Sequence, residues 1–170
     1  MTTPRIYVAD LAAYNNGKLH GVWIDALDDI DSIWEQIHTM LKSSPEDFAE
    51  EHAIHDYEGF GNYRISEYSD IQSVHDIAHF IDGYPKFGAE LLDHCSDLDE
   101  AKRLAEENYQ GSFKSLSEYA QDFTEQSGTE IPDHLQYYID YQKIGRDWEL
   151  SGDIFTIETG FEELHVFWSH

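Results

Sequence analysis

Hydrophobic and polar positions along the chain change period several times, and each change marks an element. Arg5–Asp10 and His20–Ala26 are short runs rich in Val, Ile, Tyr and Trp, separated by the turn signal Asn15-Asn16-Gly17. They predict two antiparallel strands. Asp28, Asp29 and Asp31 then precede Ile30, Ile33, Trp34, Ile37 and Leu41, spaced for one face of a helix with acids at its start. Ser43-Ser44-Pro45 ends that helix, and the alternation of Ala53–Tyr57 predicts a third strand.

Downstream the pattern is helical. Asp70 is placed to cap a helix carrying Ile71, Val74, Ile77, Ala78 and Ile81, which Gly83 and Pro85 stop. Phe87–His94 reads as a second short helix, and Ser96 with Asp99 opens a third reaching about Glu107. Asn108–Phe113 predicts a strand, and Ser115 with Glu118 forms a capping box before Leu116, Tyr119, Ala120 and Phe123. Asp153–Thr159 and Leu164–Trp168 predict a closing hairpin around Thr159-Gly160. The expected class is α+β, elongated, with three small units in a row. These are a sheet-and-helix unit over 1–61, a helical unit over 62–106 and an α+β unit over 107–170.

One stretch departs from simple amphipathicity. Ile131–Gly145, opened by Pro132 and Asp133 and closed by Gly145, predicts a helix with two apolar faces. Leu135, Tyr138 and Ile139 lie on one, and Tyr137, Tyr141 and Ile144 on the other. Such a helix is either deep in a core or shared between a core and a second chain. The second alternative makes Tyr137, Tyr141 and Ile144 the candidate dimer contact.

Composition changes the picture through charge. Thirty-five acids against ten Lys and Arg give a formal −25 over 170 residues. The excess is no tail: residues 1–60 hold 12 acids and 3 bases, 61–110 hold 11 and 4, and 111–170 hold 12 and 3. With 41% apolar and 14% aromatic residues the chain has too much core material to stay disordered. A folded body of this charge repels itself, so a benefit must offset the cost. Solubility or adaptation to salt is one benefit. Imitation of DNA is another, because a duplex carries one charge per about 1.7 Å and 25 charges correspond to roughly 12 base pairs.

The same composition excludes other classes. Ten scattered bases form no cationic stripe, so direct nucleic-acid binding is not expected. No apolar run approaches the ~20 residues of a membrane span, and MTTPRIYVAD lacks the apolar core of a secretion signal. A single cysteine, Cys95, allows no intrachain disulfide and is expected as a small buried filler in a cytoplasmic protein. P-loop, G-x-S-x-G and G-x-G-x-x-G motifs are absent. His75 and His79, four apart in H-D-x-x-H, are spaced to share a helix face and are the residues a metal-dependent hydrolase would use. His55-Asp56, the other such pair, falls on a strand. No catalytic residue, metal or cofactor is assigned. Arg146, beside Asp147 and near Asp140, is expected to form an ion pair at the helix exit.

Several segments resemble one family. YIDY (Tyr138–Tyr141), GRD (Gly145–Asp147) and LSG (Leu150–Gly152) are similar to the C-terminal motif of the ArdA antirestriction proteins. AIHDYE (Ala53–Glu58) and Arg5–Asp25 resemble the same family, while Gly59–Ser127 matches only in pattern and acidity. The resemblance implies a homodimeric DNA mimic, carried on mobile elements. Such a mimic competes with DNA for the groove of a type I methyltransferase–specificity core, blocking restriction and perhaps modification. It makes Leu135, Tyr138, Ile139, Asp140, Tyr141, Gly145, Arg146, Asp147, Leu150, Ser151 and Gly152 the antirestriction motif. The acids expected to face the enzyme are Asp28, Asp29, Asp31, Glu35, Glu46, Asp47, Glu50 and Glu51, then Asp70, Asp76, Asp82, Glu90, Asp97, Asp99, Glu100, Glu106 and Glu107. Alternatives are a generic acidic interaction protein and a mimic directed at another DNA-binding protein.

Overall fold

The computed structural model describes residues 2–170 and is an α+β protein. Its chain gathers into two compact units, Met1–His94 and Cys95–His170, each around one three-stranded antiparallel sheet. The helices of the central stretch are divided between the two units at His94.

In the first unit, β1 (Arg5–Asp10) lies between β2 (Gly21–Asp25) and β3 (His52–Glu58), with Val8 opposite both Val22 and Ile54. Strand alternation sends Ile6, Val8, Ile24 and Ile54 into the core, where Ile33, Ile37 and Met40 of α2 (Ile30–Lys42) also lie buried. Between β1 and the expected turn lies a short helix, α1 (Leu11–Asn15), which Asp10 starts by accepting a hydrogen bond from the Ala13 amide at 3.2 Å. Only then does the chain reverse, with Gly17 at φ 75°. Asp70 caps α3 (Ile71–Gly83) as its position predicts, and α4 (Gly88–His94) buries Ala89, Leu91 and Leu92.

In the second unit, α5 (Leu98–Arg103) starts one residue later than the S-x-x-D spacing suggests. Asp97 accepts from the Glu100 amide at 2.8 Å, while Glu100 accepts from the Ser96 amide at 2.9 Å. The helix start is therefore D-x-x-E, with Glu100 reaching back one residue beyond the Asp97 cap to the Ser96 amide. A π-helical turn, Leu104–Asn108, carries α5 directly into β4 (Tyr109–Phe113). Ser115 opens α6 (Leu116–Gln126) by accepting from Glu118. β6 (Glu163–Trp168) is the central strand, flanked by β4 and β5 (Ile154–Gly160). The hairpin turns at Phe161-Glu162, with Glu162 at φ 53°, beyond the Thr159-Gly160 position expected.

The largest correction concerns Ile131–Gly145, which is not one helix. A 3₁₀ helix covers Asp133–Tyr138, the backbone extends at Ile139, and α7 (Tyr141–Ser151) begins afresh. Asp140 causes the restart: its carboxylate accepts from the Lys143 amide at 2.9 Å, a strong N-cap. Gly145 does not close a helix. It is buried in the middle of α7, where an added Cβ would stand 2.9 Å from the Leu116 carbonyl oxygen. A close crossing of α7 over the start of α6 requires glycine there. Left-handed Gly152, at φ 84°, supplies the actual C-cap.

Candidate functional site

Charge is displayed at the surface almost without exception. Asp10 is the only buried carboxylate among the described residues. Of the acids expected to face a partner, Asp28, Glu46, Asp76, Glu90 and Glu100 are half-buried and the rest are exposed. Asp28 to Glu90 lie in the first unit and Asp97 to Glu107 in the second. On the second unit Glu118, Glu125, Glu130, Asp133, Glu149, Asp153, Glu158 and Glu162, outside that set, are exposed as well. Their sequence signal was acidity alone, spread too evenly to single out a face.

Cations neutralise little of this surface. Arg5 pairs with Glu58 and also lies over the Trp23 ring, 4.9 Å from its centroid. Lys18 pairs with Glu46 at 2.7 Å. This contact, ahead of all other influences, holds the Glu46 carboxyl below its usual pKa. The other Lys and Arg residues are exposed. Arg146 is among those left exposed, so the ion pair expected at the end of its helix does not form: Arg146 points from mid-helix rather than from a helix exit. Many acids are instead held by neutral donors. Helix-starting amides bond to Asp70, Asp97 and Asp140, and Gln36, Gln72 and Gln121 donate to Asp28, Asp76 and Glu125. Such contacts orient a carboxylate and leave its charge uncancelled.

The C-terminal motif separates into a framework and a face. Tyr119, Ile154 and Val166 form the buried cluster of the second unit, with Leu116, Phe123, Trp148 and Trp168 packed on it. The Trp148 ring sits edge-on to Phe123 at 5.3 Å. Asp140, Gly145 and Gly152 start, admit and end the helix that carries it. Ser151 accompanies them, donating to the Trp148 carbonyl at 3.0 Å. Arg146, Asp147 and Leu150 face outward, where with Asp140, Gln142 and Lys143 they line a recess of about 420 Å³. Leu135, Tyr138 and Leu150 are exposed, and Ile139 is half-buried.

The profile of the family described as "Antirestriction protein (ArdA)" matches residues 6–163. The chain belongs to the ArdA antirestriction family. The ArdA match runs through the central stretch, where the motif likeness is weakest. No curated protein matches the chain.

For an ArdA protein, the remaining candidate residues are placed as follows. Tyr137, 95% exposed, and half-buried Tyr141 line one recess of about 370 Å³ with Gln121, Glu125, Ile131 and Gln136. Half-buried Ile144 does not line it, so the continuous face of a single helix is replaced by two elements meeting at a recess. His75 and His79 lie one turn apart on α3, ring centroids 4.4 Å from each other, and His75 Nδ1 contacts Asp76 at 3.0 Å. Among the described residues no group of three or more His, Cys, Asp or Glu side chains is arranged to hold a metal. Cys95 is half-buried rather than fully enclosed, and burial pushes its thiol up to about 11. Among the described residues no helix is long and apolar enough to cross a membrane.

Proposed function

We propose that this ArdA protein blocks restriction as a DNA mimic, occupying the cationic DNA-binding groove of a type I methyltransferase–specificity core in the cytoplasm. One observation supports the reading: a −25 charge is spread over both units with, among the described residues, a single buried carboxylate and few Lys or Arg pairs. Carboxylates and phosphates are both anionic acceptors suited to Arg and Lys donors. A groove built for DNA contacts backbone wherever it does not read bases, so it accepts a well-spaced anionic surface. Attraction of opposite fields makes association fast and strongly salt-dependent. The action is stoichiometric, by occupancy, with no catalytic step.

Competition between the purified chain and operator-length DNA for a type I methyltransferase tests this. Inhibition should fall steeply as salt rises. Neutralising one exposed acid, such as Glu35→Gln, should change inhibition less than about twofold, whereas Asp47→Asn with Glu50→Gln and Glu51→Gln should weaken it cumulatively. Loss of all inhibition from a single acid-to-amide change would replace diffuse mimicry by a discrete site. Equal binding to any cationic protein would instead favour a generic acidic partner.

The protein acts as a homodimer in this reading, with Tyr137, Tyr141 and Ile144 toward the second copy. What supports it is the concentration of exposed apolar side chains, Leu135, Tyr137, Tyr138 and Leu150, in one segment of an otherwise anionic protein. Sedimentation of Tyr141→Asp decides the matter: a monomer is expected, and an unaltered dimer removes this face.

A further inference from the structure

The two edges of the first sheet are finished differently. Along β3 the Ile54 amide donates to the Glu67 carbonyl at 2.9 Å, so a later segment of the chain covers that edge. β2 is the other edge, and beyond it the sheet has no further strand among the described residues. The ladder fixes which groups β2 leaves free. The Asp10 amide donates to the His20 carbonyl and the Ala26 amide to the Pro4 carbonyl, both at 2.9 Å. Hydrogen-bonded pairs alternate in an antiparallel ladder, so His20, Val22, Ile24 and Ala26 bond toward β1. Gly21 and Trp23, between them, turn an N–H and a C=O each to the open side. Groups in that array match another strand.

A recess of about 410 Å³ runs beside this edge, between β2 and α2. Val22, on the same face as the buried Ile24, forms its strand side with His20, and Gln36, Thr39 and Met40 form its helix side. His20 Nε2 donates to the Met40 carbonyl at 2.7 Å, which ties the start of the strand to the last turns of the helix. On the opposite face of β2 the Tyr7 ring lies against Gly21, where an added Cβ would stand 2.6 Å from it. The same ring meets Trp23, with centroids 5.5 Å apart, and Trp23 remains 38% exposed. A strand laid on this edge would alternate its side chains between the recess and the Trp23 face. Local acids select its charge. Glu35 lines the recess, the Asp28 carboxylate accepts from Gln36 Nε2 at 3.1 Å, and Asp25 ends the strand. A second copy of this chain would bring its own −25 charge to them, whereas a basic segment would complement them.

We propose that the edge of β2 and the recess beside it form a docking site for an extended basic segment of another protein, added antiparallel to the sheet. Backbone groups of that segment bond to Gly21 and Trp23, an apolar side chain opposite Val22 enters the recess, and flanking Lys or Arg side chains meet Asp28 and Glu35. The site reads strand geometry, so it stands independently of whether the chain displaces DNA.

The test is an NMR titration of the full chain at salt high enough to screen general attraction between charges. The probe is the peptide Thr-Lys-Val-Leu-Val-Lys-Thr, which places Leu and both Lys on one face. Controls are a scrambled peptide of the same composition and the probe N-methylated at its two Val amides, which face β2 in the docked strand. The probe should bind about tenfold more tightly than either control, with the Gly21 and Trp23 amides shifted and slowed in hydrogen exchange. Thr39→Trp, at an exposed position, fills the recess from the helix side. It should weaken binding about tenfold and leave the unfolding midpoint unchanged. Equal binding of the three peptides, or equal binding of the probe to Thr39→Trp and wild type, overturns the site. Protection of the Gly21 and Trp23 amides by the chain alone, growing with its concentration, overturns the basic segment as occupant and puts a second copy there.

Discussion

In the first unit the interior is mainly aliphatic: Ile6, Val8, Ile24, Ile33, Ile37, Ile81 and Leu91 are all within 1% of complete burial, and Phe60, Phe80 and Phe87 are buried with them. In the second it holds fewer buried residues, among them Leu104, Ile157 and Phe167, and aromatic rings take a larger share. Its cluster has Tyr119, Ile154 and Val166 at the centre and half-buried rings of Phe113, Phe123, Trp148 and Trp168 around them. Charge is nearly equal, 18 acids and 5 bases in Met1–His94 against 17 and 5 in Cys95–His170. Equal self-repulsion is therefore resisted by unequal cores. Large apolar side chains are exposed on both units, Tyr14, Leu19, Trp23, Phe48 and Tyr68 on the first and Leu135, Tyr137, Tyr138, Leu150 and Phe161 on the second. Acidity is shared by both units; what distinguishes them is the make-up of the apolar core.

Substitutions can break or sharpen this contrast. The largest effect is expected from Ile37→Ala, because a fully buried side chain of α2 leaves a cavity in a close-packed aliphatic core. It should cost about 2–5 kcal/mol, read from chemical denaturation with hydrogen exchange in β1 and α2. Gly145→Ala comes next. The added methyl meets the Leu116 backbone oxygen at 2.9 Å, and a carbonyl in a helix cannot swing aside. Lifting α7 from α6 should cost about 1–3 kcal/mol, with protection lost in those two helices. A null effect would show that the second unit's packing is too loose to register a methyl group. Ser115→Ala, which removes the cap of α6, should cost about 1 kcal/mol in the same assay.

The smallest effect is one of pH. Burial, reinforced by Glu100 and Asp97, raises the Cys95 thiol from 9.0 to about 11. The folded chain thus holds that proton more tightly than the unfolded one. Its contribution to stability is complete below pH 9 and is lost as pH rises toward 11. Alkylation of Cys95 near pH 8 should run about a hundredfold slower than for an unperturbed thiol. A rate equal to that of a free thiol would indicate that the start of the second unit opens locally.

Much of the first unit is legible in its residues. The period-3.6 run from Ile30 to Leu41 and the alternating strands on either side become α2, β2 and β3 because each buries one face against the others. The ends of the antirestriction motif are legible as family likeness, but their division of labour is not. Gly145 reads as a helix stop when only neighbours in sequence are considered. Its true reason is a carbonyl on another helix, 29 residues earlier in the chain.

Sequence by itself determined the charge, the α+β class, most element boundaries and the family, because these follow from local periodicity, capping residues and residue counts. Tertiary structure decided where Ile131–Gly152 breaks, which motif residues support and which face outward, and that few cations stand near the acids. Those outcomes depend on distances between residues far apart in the chain, and no local pattern encodes them.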